Sequence, residues 1–380
     1  MYRIINKKKL YFTKAVDLLG NIIFLPKLLF GKNEEIRPEE IREILIVRTA
    51  YIGDVLMAIP LLKPIRERFI NAKISFLTSD NARGVVENNP YVDEIITYNP
   101  FWFYNSEKRG YIDFMKGLRK RPFDLVIETR GDIREIMFLV FPLKARYKVS
   151  YDVGGGGYFL SHVVPYKGSV HRVEYHLDIA RYLGCEIDKD IEWGIYLNED
   201  EKKRVEEILE DEGVALDKPI VAMQPGSRKE LKCWPEENYA KLADYVICET
   251  GATVLLTGAP EEVPLVARVK GLMENKPVVL AGKTTLRELA GVISHCSLFI
   301  SNDSSPMHIA AAMKTPTVAI FGPSKSVETA PYGKGHVVVE KDFPCRYTCD
   351  EDVCHFKSHK QCMRDISMND VFIAIAKIFV

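Results

Sequence analysis

The chain has 380 residues and a formal net charge of zero, with 52 Lys/Arg against 52 Asp/Glu. A composition of 47% hydrophobic and 27% charged residues belongs to a folded globular chain of about two domains, and excludes whole-chain disorder, collagen and simple coiled coil. A neutral chain has no global basic field for nucleic acid, so anion binding must be local, and no apolar run reaches the roughly 18–20 residues that span a bilayer.

The first 33 residues stand apart. Seven Lys/Arg face one acid, Asp17, giving this segment +6 and leaving residues 34–380 at −6. Leu10, Phe12, Leu18, Leu19, Ile22, Ile23 and Leu25 lie between the cations. Such an extension, over 1–42, can lie in an anionic membrane interface or can pack as a helix on the body of the protein. With no cleavable secretory signal in view, the expected location is the cytoplasm, peripheral on the inner face of its membrane. At Ile44-Leu45-Ile46-Val47 a short apolar run marks a strand buried on both faces. Further strands are expected at 74–78, 92–96 and 123–127, with a polar helix start near Asn81. The glycine run 154–157 reads as a loop, and helices are expected from His171 to Leu183 and, after an Asn198 cap, to Glu212. Strand–helix alternation resumes at 220–223, 253–257, 278–280, 298–301 and 317–321, and 366–380 reads as a last helix. The organisation is therefore α/β, with parallel βαβ units in two halves, 43–190 and 191–365.

Open parallel sheets bind ligands beyond the carboxyl ends of their strands, and three loops there carry chemistry. Gly53-Asp54 follows the first strand; taken alone, the Asp reads as a helix cap. The loop from Pro225 to Pro235 holds a glycine, Ser227, Arg228, Lys229 and Lys232, a make-up suited to phosphate. Asp303-Ser304-Ser305-Pro306-Met307-His308 opens a helix of small residues, whose N-terminal N–H groups can hold a diphosphate. No paired acidic metal motif stands in these second-half loops. Arg130 and Arg134 follow a first-half strand; Arg134 suits an acceptor phosphate or carboxylate, or else a surface ion pair.

The segments ILIVRTAYIGDVLMAIPLL, PGSRKELKCWP, LTGAPEE and SNDSSPMHIAAAMKTPTVAIFGPS together resemble the bacterial ADP-heptose:lipopolysaccharide heptosyltransferases of glycosyltransferase family 9. The resemblance spans about residues 43 to 370. It implies a GT-B fold, two Rossmann-like domains facing a central cleft, and inverting transfer with no required metal or cofactor. By position, Asp54 matches the base that takes the acceptor proton, and Lys232, beside Ser227, the lysine that meets the donor diphosphate. Asp303 matches an acid near the transferred sugar, and Ser304, Ser305, Met307 and His308 the diphosphate-binding helix start. Glu261 or Glu262 matches an acid on the nucleoside ribose. Thr49, Gly53, Arg130 and Arg134 complete the expected acceptor side. Ser305 departs from a usual glycine, and the N-terminal extension lies outside the common core. The implied partners are ADP-heptose or a similar nucleotide sugar and a lipid-linked glycan; a transferase for another nucleotide sugar and an idle sugar-nucleotide-binding protein are the alternatives.

Cys345, Cys349, Cys354 and Cys362 lack the paired spacing of a strong zinc site. Structural thiols, a structural zinc that could include His355 or His359, and disulfides all remain open from the sequence.

Overall fold

The computed structural model describes residues 2, 7–26, 34–104, 108–168, 170–346, 349 and 351–378. It divides into two units, Met1–Trp193 and Gly194–Val380. The first is built on β1 (Glu43–Val47), β2 (Lys73–Thr78), β3 (Glu94–Thr97), β4 (Leu125–Glu128), β5 (Tyr147–Ser150) and β6 (His162–Val163). All pair in parallel, in the order β3-β2-β1-β4-β5-β6. Ile44 to Val47 are fully buried, as a central strand with helices on both faces requires. The second is built on β7 (Ile220–Gln224), β8 (Thr253–Leu256), β9 (Val278–Val279), β10 (Leu298–Asn302), β11 (Thr317–Phe321) and β12 (His336–Glu340). These are also parallel, in the order β12-β11-β10-β7-β8-β9, so the two halves repeat one strand order.

Three strands go beyond the sequence expectation. β5 alternates Tyr147-Lys148-Val149-Ser150 instead of running apolar, and β6 has two residues. β12 carries the apolar run Val337-Val338-Val339 and adds a further strand at the sheet edge beyond those expected. The helix Glu199–Asp211 has the Asn198 cap, with Glu201 bonding back to the Asn198 N–H at 2.8 Å. The helix Arg172–Tyr182 begins at His171, whose ring accepts from the Val173 N–H. Met368–Ile378 packs Val371 and Ala374 into the second core beside Trp234 and Met363.

The N-terminal helix Lys7–Ile23 is oriented opposite to an ordinary surface helix. Its small and polar face is inward. Thr13, Asp17 and Gly20 are buried, the Gly156 N–H and the Tyr2 hydroxyl donate to Asp17 at 2.9 and 2.7 Å, and Phe24, just beyond the helix, stacks on Tyr158. Gly155 is required: a Cβ there would lie 2.8 Å from the Asp17 carboxylate. Burial and the Asp17 carboxylate push the Tyr2 phenol up to about 12. The large apolar side chains Phe12, Leu18, Leu19, Ile22 and Ile23 face outward, 61–72% exposed. Among the described residues they cover no apolar patch on the first unit. Lys8 and Lys14 are exposed on the same helix, whereas Arg3, Lys27, Lys32 and the apolar residues 28–30 lie outside the described residues.

Candidate active site

Each sheet has a switch point where the chain reverses its direction of progress: β1/β4 in the first unit and β7/β10 in the second. The sequence-derived residues gather beyond those strand ends.

In the first unit, β1 ends at Val47 and Arg48 turns back under the next loop. The helix Ile52–Leu56 presents Gly53, buried, and Asp54, one-third exposed. Asp54 caps nothing. Its carboxylate accepts from Arg48 Nη2 at 2.9 Å, and Arg48 Nε donates to its carbonyl at 3.3 Å. Thr49 is fully buried and donates its hydroxyl to Glu135. Beyond β4, Arg130 and Arg134 both lie over the Phe103 ring, at 4.4 and 4.7 Å. Arg134 grips Asp132 through two bonds of 2.9 and 2.6 Å, so the ion-pair reading of Arg134 holds in this state. Burial would raise the Asp132 carboxyl, but the Arg134 and Arg130 guanidiniums more than offset it and hold it below its ordinary range. Burial likewise opposes the Arg130 charge, and Glu135, Asp132 and Asp54 overcome that. Thr49, Asp54 and Arg130 therefore share one electrostatic neighbourhood.

In the second unit, Lys232 is largely buried between Asp303 and Glu351, each 2.8 Å from its ammonium. Burial alone would lower the ammonium; the two carboxylates outweigh it and raise it. Ser324 also donates to the Asp303 carboxylate, and Ser227 to the Asp303 carbonyl at 3.2 Å. The phosphate-suited loop is pinned to β10: the Trp234 N–H donates to Asn302, and Asn302 donates to the Pro225 carbonyl at 2.7 Å. Pro235 stands at the N-cap of the helix Glu236–Thr250, not in its first turn. The helix Ser305–Ala312 has no side-chain cap, which leaves its start open to an anion; Ser304 bonds Ser301 instead, and Met307 and His308 are buried.

The two acids after β8 have different surroundings. Glu262 accepts from Gln224 at 2.7 Å and from the Ala259 N–H at 2.8 Å, and a Cβ at Gly226 would collide with it, whereas Glu261 is exposed. Sequence reasoning passed over Arg48, Glu128, Glu135 and Glu351. Glu128 had a signal, as an acid directly after the apolar run 125–127; Glu351 reaches its partner only through the tertiary fold. Cys345, Cys349, Cys354 and Cys362 line one cavity with Leu231, Phe343 and Phe356. Among the described residues no cluster there has the arrangement of a metal site.

Two six-stranded parallel units of one strand order, each with ligand-type loops at its switch point, are the architecture of the GT-B fold. The fold is similar to that of a glycosyl transferase of family 9 from Veillonella parvula, with a TM-score of 0.77 and 22% identity over 91% of this chain and 99% of that one. It is also similar to the ADP-heptose lps heptosyltransferase II of Escherichia coli, with a TM-score of 0.70 and 21% identity over 88% and 98%. The family model for glycosyltransferase family 9 (heptosyltransferase) matches residues 111–359. Lipopolysaccharide heptosyltransferase 3 of Escherichia coli K12 is 31% identical over 291 residues, 74% of this chain and 83% of that protein. The chain belongs to glycosyltransferase family 9 and is a glycosyltransferase.

Proposed function

We propose that the protein transfers a heptose from ADP-heptose to a lipopolysaccharide-core or related lipid-linked glycan, with inversion. The acceptor hydroxyl attacks the anomeric carbon and Asp54 takes its proton. The bond to the diphosphate breaks in the same displacement, and ADP leaves. Lys232 and the open start of the helix Ser305–Ala312 stabilise the growing charge on the diphosphate. Asp303 orients Lys232 beside the transferred sugar, and Glu261, the exposed acid of its pair, meets the ribose. Arg130 and Arg134 meet an anionic group of the acceptor, with Arg134 leaving Asp132. The reaction as drawn uses no metal or cofactor. The observation that carries this reading is the Lys232–Asp303 pair at the β7/β10 switch point in a chain of this family. The experiment is a panel of nucleotide sugars with a soluble core-oligosaccharide acceptor, read by mass spectrometry and by the anomeric NMR coupling of the product. Transfer from ADP-heptose with inversion supports the reading. Turnover with a different nucleotide sugar alone would replace the donor, and no turnover with any donor would favour an idle binding protein.

The partner surface is an anionic membrane on the cytoplasmic side, held through residues 1–33. Among the described residues no helix is long and apolar enough to cross a membrane. The helix Lys7–Ile23 instead turns its large apolar side chains outward. Full burial of a side chain of that size is worth about 1.5–3 kcal/mol, and each nearby cation adds about 1 kcal/mol at an anionic surface. Leu18→Ser with Ile22→Ser removes outward groups only, so the fold and turnover of a soluble acceptor should survive while flotation with anionic vesicles is lost. Undiminished flotation of the double variant would exclude this face.

A further inference from the structure

Beneath the first switch point lies a pair of acids with no part in the reaction above. Glu128 ends β4 and Glu135 lies in the turn of helix Ile133–Glu135; both are fully buried. Glu128 shapes the loop between them, accepting from the Arg130 N–H at 2.9 Å, from the Gly131 N–H at 2.7 Å and from the Ser150 hydroxyl. Glu135 accepts from Thr49 through one oxygen, while its other oxygen, Oε2, is buried with no donor among the described groups. A buried acceptor without a donor is costly, and two buried carboxylates side by side are more so. A proton on Glu128 cancels one of the two charges and gives the Glu135 side chain a donor.

The surrounding charges lead to the same count. Among the described residues, the guanidiniums gathered here are those of Arg48, Arg130 and Arg134, and the carboxyls those of Asp54, Asp132, Glu128 and Glu135. Among these described groups the carboxyls outnumber the guanidiniums by one, which favours a proton on one carboxyl. Neutral groups among the described residues here are Ser150 from β5, Thr49 after β1, and Tyr175, whose hydroxyl donates to the Arg130 carbonyl and whose ring lies under the Arg172 guanidinium at 5.9 Å. His176, on the same helix as Tyr175, is held uncharged by burial and by Arg48.

We propose that Glu128 and Glu135 share one proton, and that this protonated pair is a positioning device that holds Arg130, and through the common charge balance Arg48 and Asp54, in place for the acceptor. Burial first, and then the neighbouring Glu135, push the Glu128 carboxyl well above its usual range, in keeping with that geometry. If the proton is lost, the extra buried charge pulls on the Arg130 guanidinium and the loop between the acids shifts. Neither acid touches substrate. The consequence for turnover rests on the proposed roles of Asp54 and Arg130; the shared proton itself does not.

The test pairs infrared difference spectroscopy of the unliganded protein with steady-state kinetics. At neutral pH the wild type should show a buried protonated carboxyl band that Glu128→Gln lacks. The Gln amide donates to Glu135 as the protonated acid does, so Glu128→Gln should keep kcat/KM within about threefold at neutral pH. Where the wild type loses its carboxyl band on raising the pH, its acceptor kcat/KM should fall with it, and Glu128→Gln should not show that alkaline limb. A band that persists to the highest pH of a stable fold, with no alkaline limb, is the same result for a more tightly held proton. Absence of the band at neutral pH, or an alkaline limb of wild-type shape in Glu128→Gln, would overturn the proposal. If Glu128→Gln does not fold, the wild-type band decides alone. Should Asp54→Asn retain full turnover, the base assignment fails while the infrared result stands or falls by itself.

Discussion

Lys232 binds two carboxylates in a site proposed for a diphosphate, and the two can be told apart by the sign of their effects. Asp303 is buried, takes a second bond from Ser324 and belongs to the strand end; Glu351, about one-third exposed, comes from the cysteine-bearing stretch after β12. On the proposed role of Lys232, a diphosphate there competes with Glu351 for the ammonium. Lys232→Ala removes a charge-assisted bond worth about 1.5–3 kcal/mol to the ligand, so ADP affinity should fall roughly 10- to 150-fold. The same change strips Asp303 of its ammonium and, as the breaking of a largely buried pair, should destabilise the fold by about 3 kcal/mol. Glu351→Gln should act oppositely on binding. It removes a competitor held by a partly exposed pair worth about 0.5–1 kcal/mol, so ADP should bind a few-fold more tightly. Titration calorimetry with ADP, alongside thermal unfolding of the free proteins, separates the two effects. Weaker binding in both variants would place Glu351 among the ligand contacts, and unchanged ADP affinity in Lys232→Ala would remove the lysine from the donor site.

Asp54→Asn should lower turnover by roughly 10² or more with donor affinity largely kept, since the amide preserves size but not basicity; near-normal single-turnover rates would clear Asp54 of the role. Activity should survive EDTA, and loss of turnover restored by Mg²⁺ with the fold intact would show that a metal carries the diphosphate charge. His176 is buried and donates its Nδ1–H to the Met57 carbonyl at 2.8 Å, and burial pushes it down to about 3. The unfolded chain therefore binds a proton that the folded one refuses. The stability it contributes is complete above the unfolded value of about 6.5 and is lost as pH falls towards 3, at a slope on the order of 1 kcal/mol per pH unit. Urea unfolding between pH 7 and 4 should show that slope reduced in His176→Gln.

Much of this arrangement was legible because parallel sheets write themselves plainly. Ile44–Val47 and Leu298–Ile300 are apolar on both faces, and the loops after them are where ligands must go. Lys232 and Asp303 could be chosen from loop composition, yet their direct pairing depends on β7 and β10 being neighbours, which no local pattern encodes. Arg48 was hidden because an arginine at a strand end reads as solvent-facing, whereas the fold buries it beneath Asp54. Glu128 followed a legible apolar run, but Glu135 was hidden for a related reason: a carboxyl in a core is improbable until its partner is known, and its partner, Thr49, comes from the distant loop after β1. The orientation of the N-terminal helix was also beyond reach, since its hydrophobic pattern fits either face equally well until Asp17 is seen to be the anchored side.

That anchorage divides an inherited trait between two distant stretches of chain. Asp17 meets the backbone of Gly156, 139 residues further on, and only the bare backbone at Gly155 lets the helix come so near. A transplant of the first 33 residues onto a relative without that glycine seat would give a greasy tail on a tether, free to swivel. The converse change, a single alanine at Gly155, would leave every residue of the tail intact and still unseat it. Comparative sequence surveys should therefore find the tail and its glycine seat gained and lost together, and a chimera that keeps the tail's bearing must carry both.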